Sequence, residues 1–155
     1  MLKSSMLRNC ALIACLLAVP AWAQTVTVNR PWVRGTVIGQ TATGAFMELK
    51  SVEGATLVGV SSPACKLAQI HRMTMDKNVM RMQAVPKLDL PAGKTVLLEP
   101  GSYHIMLTGL LRPLKQGETV DLTLKLETRD KKLVEVPVKA EVRALTAMPM
   151  MERMH

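Results

Sequence analysis

Apolar and polar residues alternate along most of the chain after position 24. The pattern is clearest in Val120-Asp121-Leu122-Thr123-Leu124-Lys125-Leu126-Glu127. Successive side chains of a strand point to opposite faces, so a period of two predicts strands with one buried and one solvated face. Such segments are expected at Thr25–Val28, Ala45–Leu49, Thr56–Ser61, Ala68–Met75, Val79–Val85, Thr95–Leu98, Tyr103–Leu107, Thr119–Glu127, Leu133–Val138 and Ala140–Arg143. Turn formers separate them: Gly54, Ser61-Ser62-Pro63, Asp76-Lys77-Asn78, Pro91-Ala92-Gly93, Pro100-Gly101 and Arg129-Asp130-Lys131. No segment holds a 3.6-residue period. Many short strands at this spacing predict an all-β antiparallel sandwich or barrel.

The first residues break the pattern. Lys3 and Arg8 precede the apolar run Ala11–Val19, then Pro20 and the small-x-small triplet Ala21-Trp22-Ala23. This is the layout of a secretory leader cut after Ala23, giving a leader at 1–23. The nine-residue run is short of the roughly 20 that span a bilayer. Leu12-Ile13-Ala14-Cys15 also resembles a lipoprotein box, but a cut there leaves an apolar run below the usual length. The reading is therefore a secreted, periplasmic chain without a lipid anchor, with a domain at 24–143 and a flexible tail at 144–155.

Composition narrows the function. The net charge of +8 falls by two, to +6, once Lys3 and Arg8 are removed. This favours acidic surfaces or anionic headgroups. Trp32, Phe46 and Tyr103 are the aromatics left, too few for a base-stacking platform, so nucleic acid is not expected. Cys10 and Cys15 leave with the leader, so Cys65 has no internal partner and reads as a small buried hydrophobe. No nucleophile with an acidic orienter, phosphate-binding glycine loop or carboxylate pair stands out, so no enzyme is expected.

Methionine is the outlier, with 12 in the chain. Each alone reads as a core filler. Together they cluster beside the three histidines. Met73, Met75, Met80, Met82 and Met106 lie near His71 and His104, and Met148, Met150, Met151 and Met154 precede His155. A hairpin about Asp76-Lys77-Asn78, with paired numbers summing to 153, sets His71 against Met82 and Met73 against Met80. His104 and Met106, two apart, share a face. Three strands then deliver two imidazoles and two thioethers to one point. Met73 and Met80 are expected as apolar packing beside it, with Met75 nearer the hairpin end. Neutral thioether sulfur suits Cu(I), and the set argues against zinc. A blue-copper site needs a thiolate, and Cys65 lies away from His104-Ile105-Met106.

These residues resemble the PCuAC family of periplasmic copper chaperones. Its pattern is a His, ten residues, a Met, twenty-one residues, then His-x-Met. His71, Met82, His104 and Met106 match it without a gap. Arg30-Pro31-Trp32-Val33-Arg34, Gly44-Ala45-Phe46-Met47, Leu90-Pro91-Ala92-Gly93 and Leu98-Glu99-Pro100-Gly101 are similar too. The chain departs from the family at Arg72, Asn78 and Ser102-Tyr103. The resemblance implies a cupredoxin-like Greek-key β-sandwich that carries Cu(I) and passes it to a copper-accepting protein, as in cytochrome c oxidase assembly. A storage or resistance scavenger, or a sandwich without metal, would share the residue-level features. The tail, with Met148, Met150, Met151, Met154 and His155, is expected to add a weaker site, and His155 to admit Cu(II). A monomer that does not span the membrane is expected.

Overall fold

The computed structural model describes residues Val26–Ala144; the leader and the Met148–His155 segment lie outside the described residues. Ten strands and no helix occur among them: β1 (Val26–Arg34), β2 (Ala42–Ser51), β3 (Ala55–Ser61), β4 (Cys65–Asp76), β5 (Val79–Ala84), β6 (Leu88–Leu90), β7 (Thr95–Leu98), β8 (Tyr103–Leu110), β9 (Thr119–Thr128) and β10 (Leu133–Arg143). Two expectations change. The segments 133–138 and 140–143 form one strand, because β10 pairs with β9 without interruption from Leu133↔Glu127 to Glu141↔Thr119. Leu88–Leu90 forms an unanticipated strand against β3, too short for its alternation to stand out.

The hydrogen-bonded order is β5-β4-β8-β2-β1-β10-β9-β3-β6, with β7 also paired to β2. Strand β2 forks: Ala42–Ala45 pair with β8 and Met47–Lys50 with β7. All pairings are antiparallel except β1 with β10. The result is an all-β, antiparallel-dominated sandwich closed over one aliphatic core.

One cross-strand row shows how register places the side chains. Ile70 opposes Ile105, Ile105 opposes Ala45, Ala45 opposes Val33, and Val33 opposes Val142. All five are buried. Each of the larger ones contributes roughly 1.5–3 kcal/mol when taken from water. A slip of one residue would turn them to the outside, so the register is strongly fixed. The next row therefore faces outward: His71 opposite His104, and Trp32 opposite Phe46 and Glu141.

A bulge in β1 decides which residue faces out. Pairing with β2 shifts between Asn29 and Trp32, and Arg30 there has φ 47°. Before the bulge Val26 is inward; after it Val33 is inward and Trp32 turns to the outer face beside Phe46. Pro31, without an N–H, sits where the ladder is already interrupted.

Candidate metal centre

His71 and His104 are direct cross-strand partners, their ring centroids 5.8 Å apart and their planes inclined by 56°. Although it lies on the outer face, His104 is only 4% exposed. The Phe46 ring lies 6.2 Å from it, and Trp32 stacks 4.5 Å beyond Phe46. Arg34 and Arg143 sit over Phe46 and Trp32 at 5.7 and 5.3 Å. Gly44, opposite Met106 on β2, has no side chain to obstruct this wall; a Cβ there would come within 2.8 Å of the Phe46 ring.

Hydrogen bonding leaves lone pairs on the imidazoles. His104 Nδ1–H donates to the Ser102 carbonyl at 3.3 Å, which leaves Nε2 as the free base. His71 Nε2 is 3.4 Å from Gln69 Oε1, and its buried Nδ1 has no hydrogen-bond partner among the described residues. Burial pushes the pKa of both rings below the ordinary histidine value. For His104 the Ser102 carbonyl opposes that shift, and the nearby His71 and Arg34 charges add to it. Both rings are therefore neutral at pH 7 and able to act as ligands. An orphaned, buried ring nitrogen is a group that a metal would satisfy.

The β4–β5 hairpin corrects the expected register. His71 opposes Ala84, Met73 opposes Met82, and Met75 opposes Met80, so paired numbers sum to 155 rather than 153. The loop is Lys77-Asn78, both with positive φ, at 48° and 64°. A two-residue turn of this kind needs left-handed geometry at both central positions, and Asn tolerates it better than most residues. A shift of two in the sum moves the partners but preserves the face. Met82 stays on the face of His71 but lies diagonal to it, and Met73 is the residue directly opposite Met82. Met80 moves out to the end of the hairpin with Met75.

Met106 completes the outer face. It follows His104 by two residues on β8 and opposes Gln69 on β4. The four residues singled out from sequence thus share one face of three adjacent strands. His104 is buried, His71 and Met106 are half-buried, and Met82 is exposed. No group of three or more His, Cys, Asp or Glu able to hold a metal occurs among the described residues. The donors available beside the histidines are thioethers, which suit soft, low-charge cations. Cys65 lies in the hydrophobic core, where burial raises its thiol pKa, so it supplies no thiolate. Arg72 stacks over Tyr103 on the face opposite His71. Two surface clefts are lined by Glu53, Gly54, Thr128 and Arg129 among others, and neither histidine lines them.

Sequence reasoning missed Phe46, Trp32, Arg34 and Gly44 as parts of this site. Their signal was an alternation in Gly44-Ala45-Phe46 that put glycine and an aromatic on the solvent face.

Comparison with known proteins places this geometry. The copper-bound PCuAC domain from PmoF2 superposes with a TM-score of 0.63 at 24% identity, covering 77% of this chain and 93% of that one. The Cu(I) form of DR1885 from Deinococcus radiodurans gives a TM-score of 0.56 at 34% identity, covering 81% and 85%. The fold is therefore the PCuAC-like, cupredoxin-like β-sandwich. A family model described as "Putative lipoprotein LpqE-like" matches residues 26–138. Lxx21020 of Leifsonia xyli subsp. xyli, also described as a lipoprotein, is 36% identical over 138 residues, covering 83% of this chain and 82% of that protein. The chain belongs to the LpqE-like family; its likeness to PCuAC holds at the level of fold. No helix among the described residues is long and apolar enough to cross a membrane.

Proposed function

We propose that this protein is an extracytoplasmic Cu(I) chaperone, with copper as its cargo. His71, Met82, His104 and Met106 are the proposed ligands. The observation that carries the reading is the His71–His104 pair: opposed in register, neutral by burial, and flanked on the same face by thioethers. The copper-bound structural neighbours support it. A partly exposed site on a rigid sheet suits transfer by ligand exchange to an acceptor. The proposed acceptor is a copper-requiring protein of the cell envelope, with assembly of the cytochrome c oxidase copper centre as the destination.

Residues 24–143 are the proposed binding domain of a monomer that acts in the periplasm after removal of the leader 1–23. The tail 144–155 is a proposed weaker site through Met148, Met150, Met151, Met154 and His155, the last admitting Cu(II). Truncation after Ala147 then leaves the tight site intact and lowers copper uptake under excess metal. A second reading of the N-terminus follows from the lipoprotein descriptions of the family and the relative. In it, Cys15 is acylated and anchors the chain to a membrane. The intact mass of the exported protein separates a chain starting at Gln24 from one starting at lipidated Cys15.

The test of the metal site is a competition titration against a Cu(I) chelator. The variant combining Met82→Ala with His104→Ala should lose tight 1:1 binding while keeping its β-rich circular dichroism. Because His104 is buried, Met82→Leu with Met106→Leu serves as a volume-conserving companion and should also weaken binding. Parent-like titration of both variants would refute the assignment.

A further inference from the structure

The β4–β5 hairpin carries more thioethers than one metal position uses. Met73 opposes Met82 and Met75 opposes Met80, so four sulfurs stand in two rungs on the face that bears His71. Opposed Cβ atoms in such a ladder are about 4.5–5.5 Å apart, and rungs on one face follow at roughly 7 Å. Long, flexible methionine side chains converge easily across those gaps. The outer rung is open to solvent, with Met75 67% and Met80 48% exposed. Strand β5 lies at the sheet edge with all six residues exposed, and the hairpin runs on past the last β4–β8 pair, Arg72↔Tyr103. On the reverse side, Arg81 and Asp76 approach to 3.7 Å, so the charges stay off the methionine face. The core is built mainly of Leu, Ile, Val and Ala with Met47, while Met75, Met80 and Met82 are left exposed and Met73 half-buried.

We propose that Met75 and Met80 form a second, weaker soft-cation station that receives Cu(I) at the hairpin tip and passes it across the Met73–Met82 rung to the His71–His104 pair. The proposal rests on the Cu(I) reading of that pair. The transfer is a ligand exchange. Bonds from copper to the Met75 and Met80 sulfurs break as bonds to the Met82 sulfur and a His71 nitrogen form. The metal stays Cu(I), and the thioethers, which carry no titratable proton, release and accept it without proton transfer. Soft sulfur ligation selects Cu(I) or Ag(I) over harder divalent ions.

The test uses the full mature chain labelled with 13C at the methionine methyls, titrated with Ag(I) as a redox-inert probe. The first equivalent should move Met82 and Met106; further metal should move Met75 and Met80 together. In Met75→Leu, the Met80 response should be lost. Stopped-flow loading of Cu(I) from a weak chelator should slow by roughly threefold to tenfold in Met75→Leu/Met80→Leu, because a tethered station no longer raises the local metal concentration. Final occupancy of the tight site should be unchanged. Fixed Met75 and Met80 methyls through four equivalents, or an unchanged loading rate, would overturn the proposal and leave the ladder an apolar surface only. A Met75 and Met80 response with Met82 and Met106 silent at the first equivalent would instead overturn the primary site, and with it the relay, leaving soft-cation binding at the hairpin tip alone.

Discussion

Substituting Gly44 by alanine tests how tightly the wall beside His104 is built. Gly44 does not have the positive φ that favours glycine, so replacement by alanine brings no backbone strain of its own. Taken alone it would stabilise by about 0.4–1 kcal/mol through the unfolded chain. The new Cβ, however, would meet Phe46 Cζ at 2.8 Å and Cε2 at 3.2 Å. The ring has little room to retreat, with Trp32 at 4.5 Å and His104 at 6.2 Å between centroids and Arg34 above it. Overpacking of this kind costs roughly 1–3 kcal/mol, so after the entropic gain of about 0.4–1 kcal/mol the net loss is roughly 0–2.6 kcal/mol, centred on about 1.3 kcal/mol. Urea denaturation followed by Trp32 fluorescence measures it directly. Phe46→Leu removes the distal ring atoms and should relieve the clash, so the double variant should show a coupling of about 1 kcal/mol or more relative to the two singles. Cu(I) affinity should fall in Gly44→Ala, because the ring that packs on His104 is displaced. A Gly44→Ala protein as stable as the parent, with no coupling to Phe46, would refute this account of the wall.

Acid should weaken the metal-free protein before its carboxylates titrate. Burial holds the His71 and His104 pKa values below the ordinary 6.5, so the unfolded state takes up protons first as pH falls. Their contribution is whole above about pH 6.5 and is lost as pH drops through the lowered folded values. The urea midpoint should therefore be lower at pH 5.5 than at pH 7.5, and His104→Gln should flatten the difference; a midpoint that rises on acidification would contradict the shifts. Asn78 tests the hairpin register. With φ 64° at the second turn position, Asn78→Val should cost about 1–2 kcal/mol and Asn78→Gly should be neutral or stabilising in thermal melts. Stabilisation by Asn78→Val would place Asn78 in a strand and restore the register in which His71 opposes Met82.

The placement of the candidate residues on one face was legible because a period of two fixes faces even when partners are wrong. His104 and Met106 share a face whatever their neighbours. Met82 kept its face through an error of two in the register sum, which moved it from opposite His71 to a diagonal position. The turn alone set that error, since Lys77-Asn78 and Asp76-Lys77 are both acceptable loops until left-handed geometry is demanded at both positions. Contacts between distant strands were not legible. Phe46 reaches His104 because β2 pairs with β8, some sixty residues apart in the chain. Trp32 faces outward because of the bulge at Arg30-Pro31, and Pro31 within an extended segment was the available sign of an interrupted ladder. Leu88–Leu90 was too short to show alternation.

The most direct test of the Cu(I) assignment is X-ray absorption at the copper edge, on the mature protein loaded with one equivalent of Cu(I). The proposed site predicts a Cu(I) edge and a first coordination shell of two imidazole nitrogens and two thioether sulfurs. In Met82→Leu/Met106→Leu the sulfur contribution should disappear and the imidazole signal persist. A parent spectrum without sulfur scattering, or a sulfur shell unchanged in that double variant, would contradict the assignment of Met82 and Met106 beside His71 and His104.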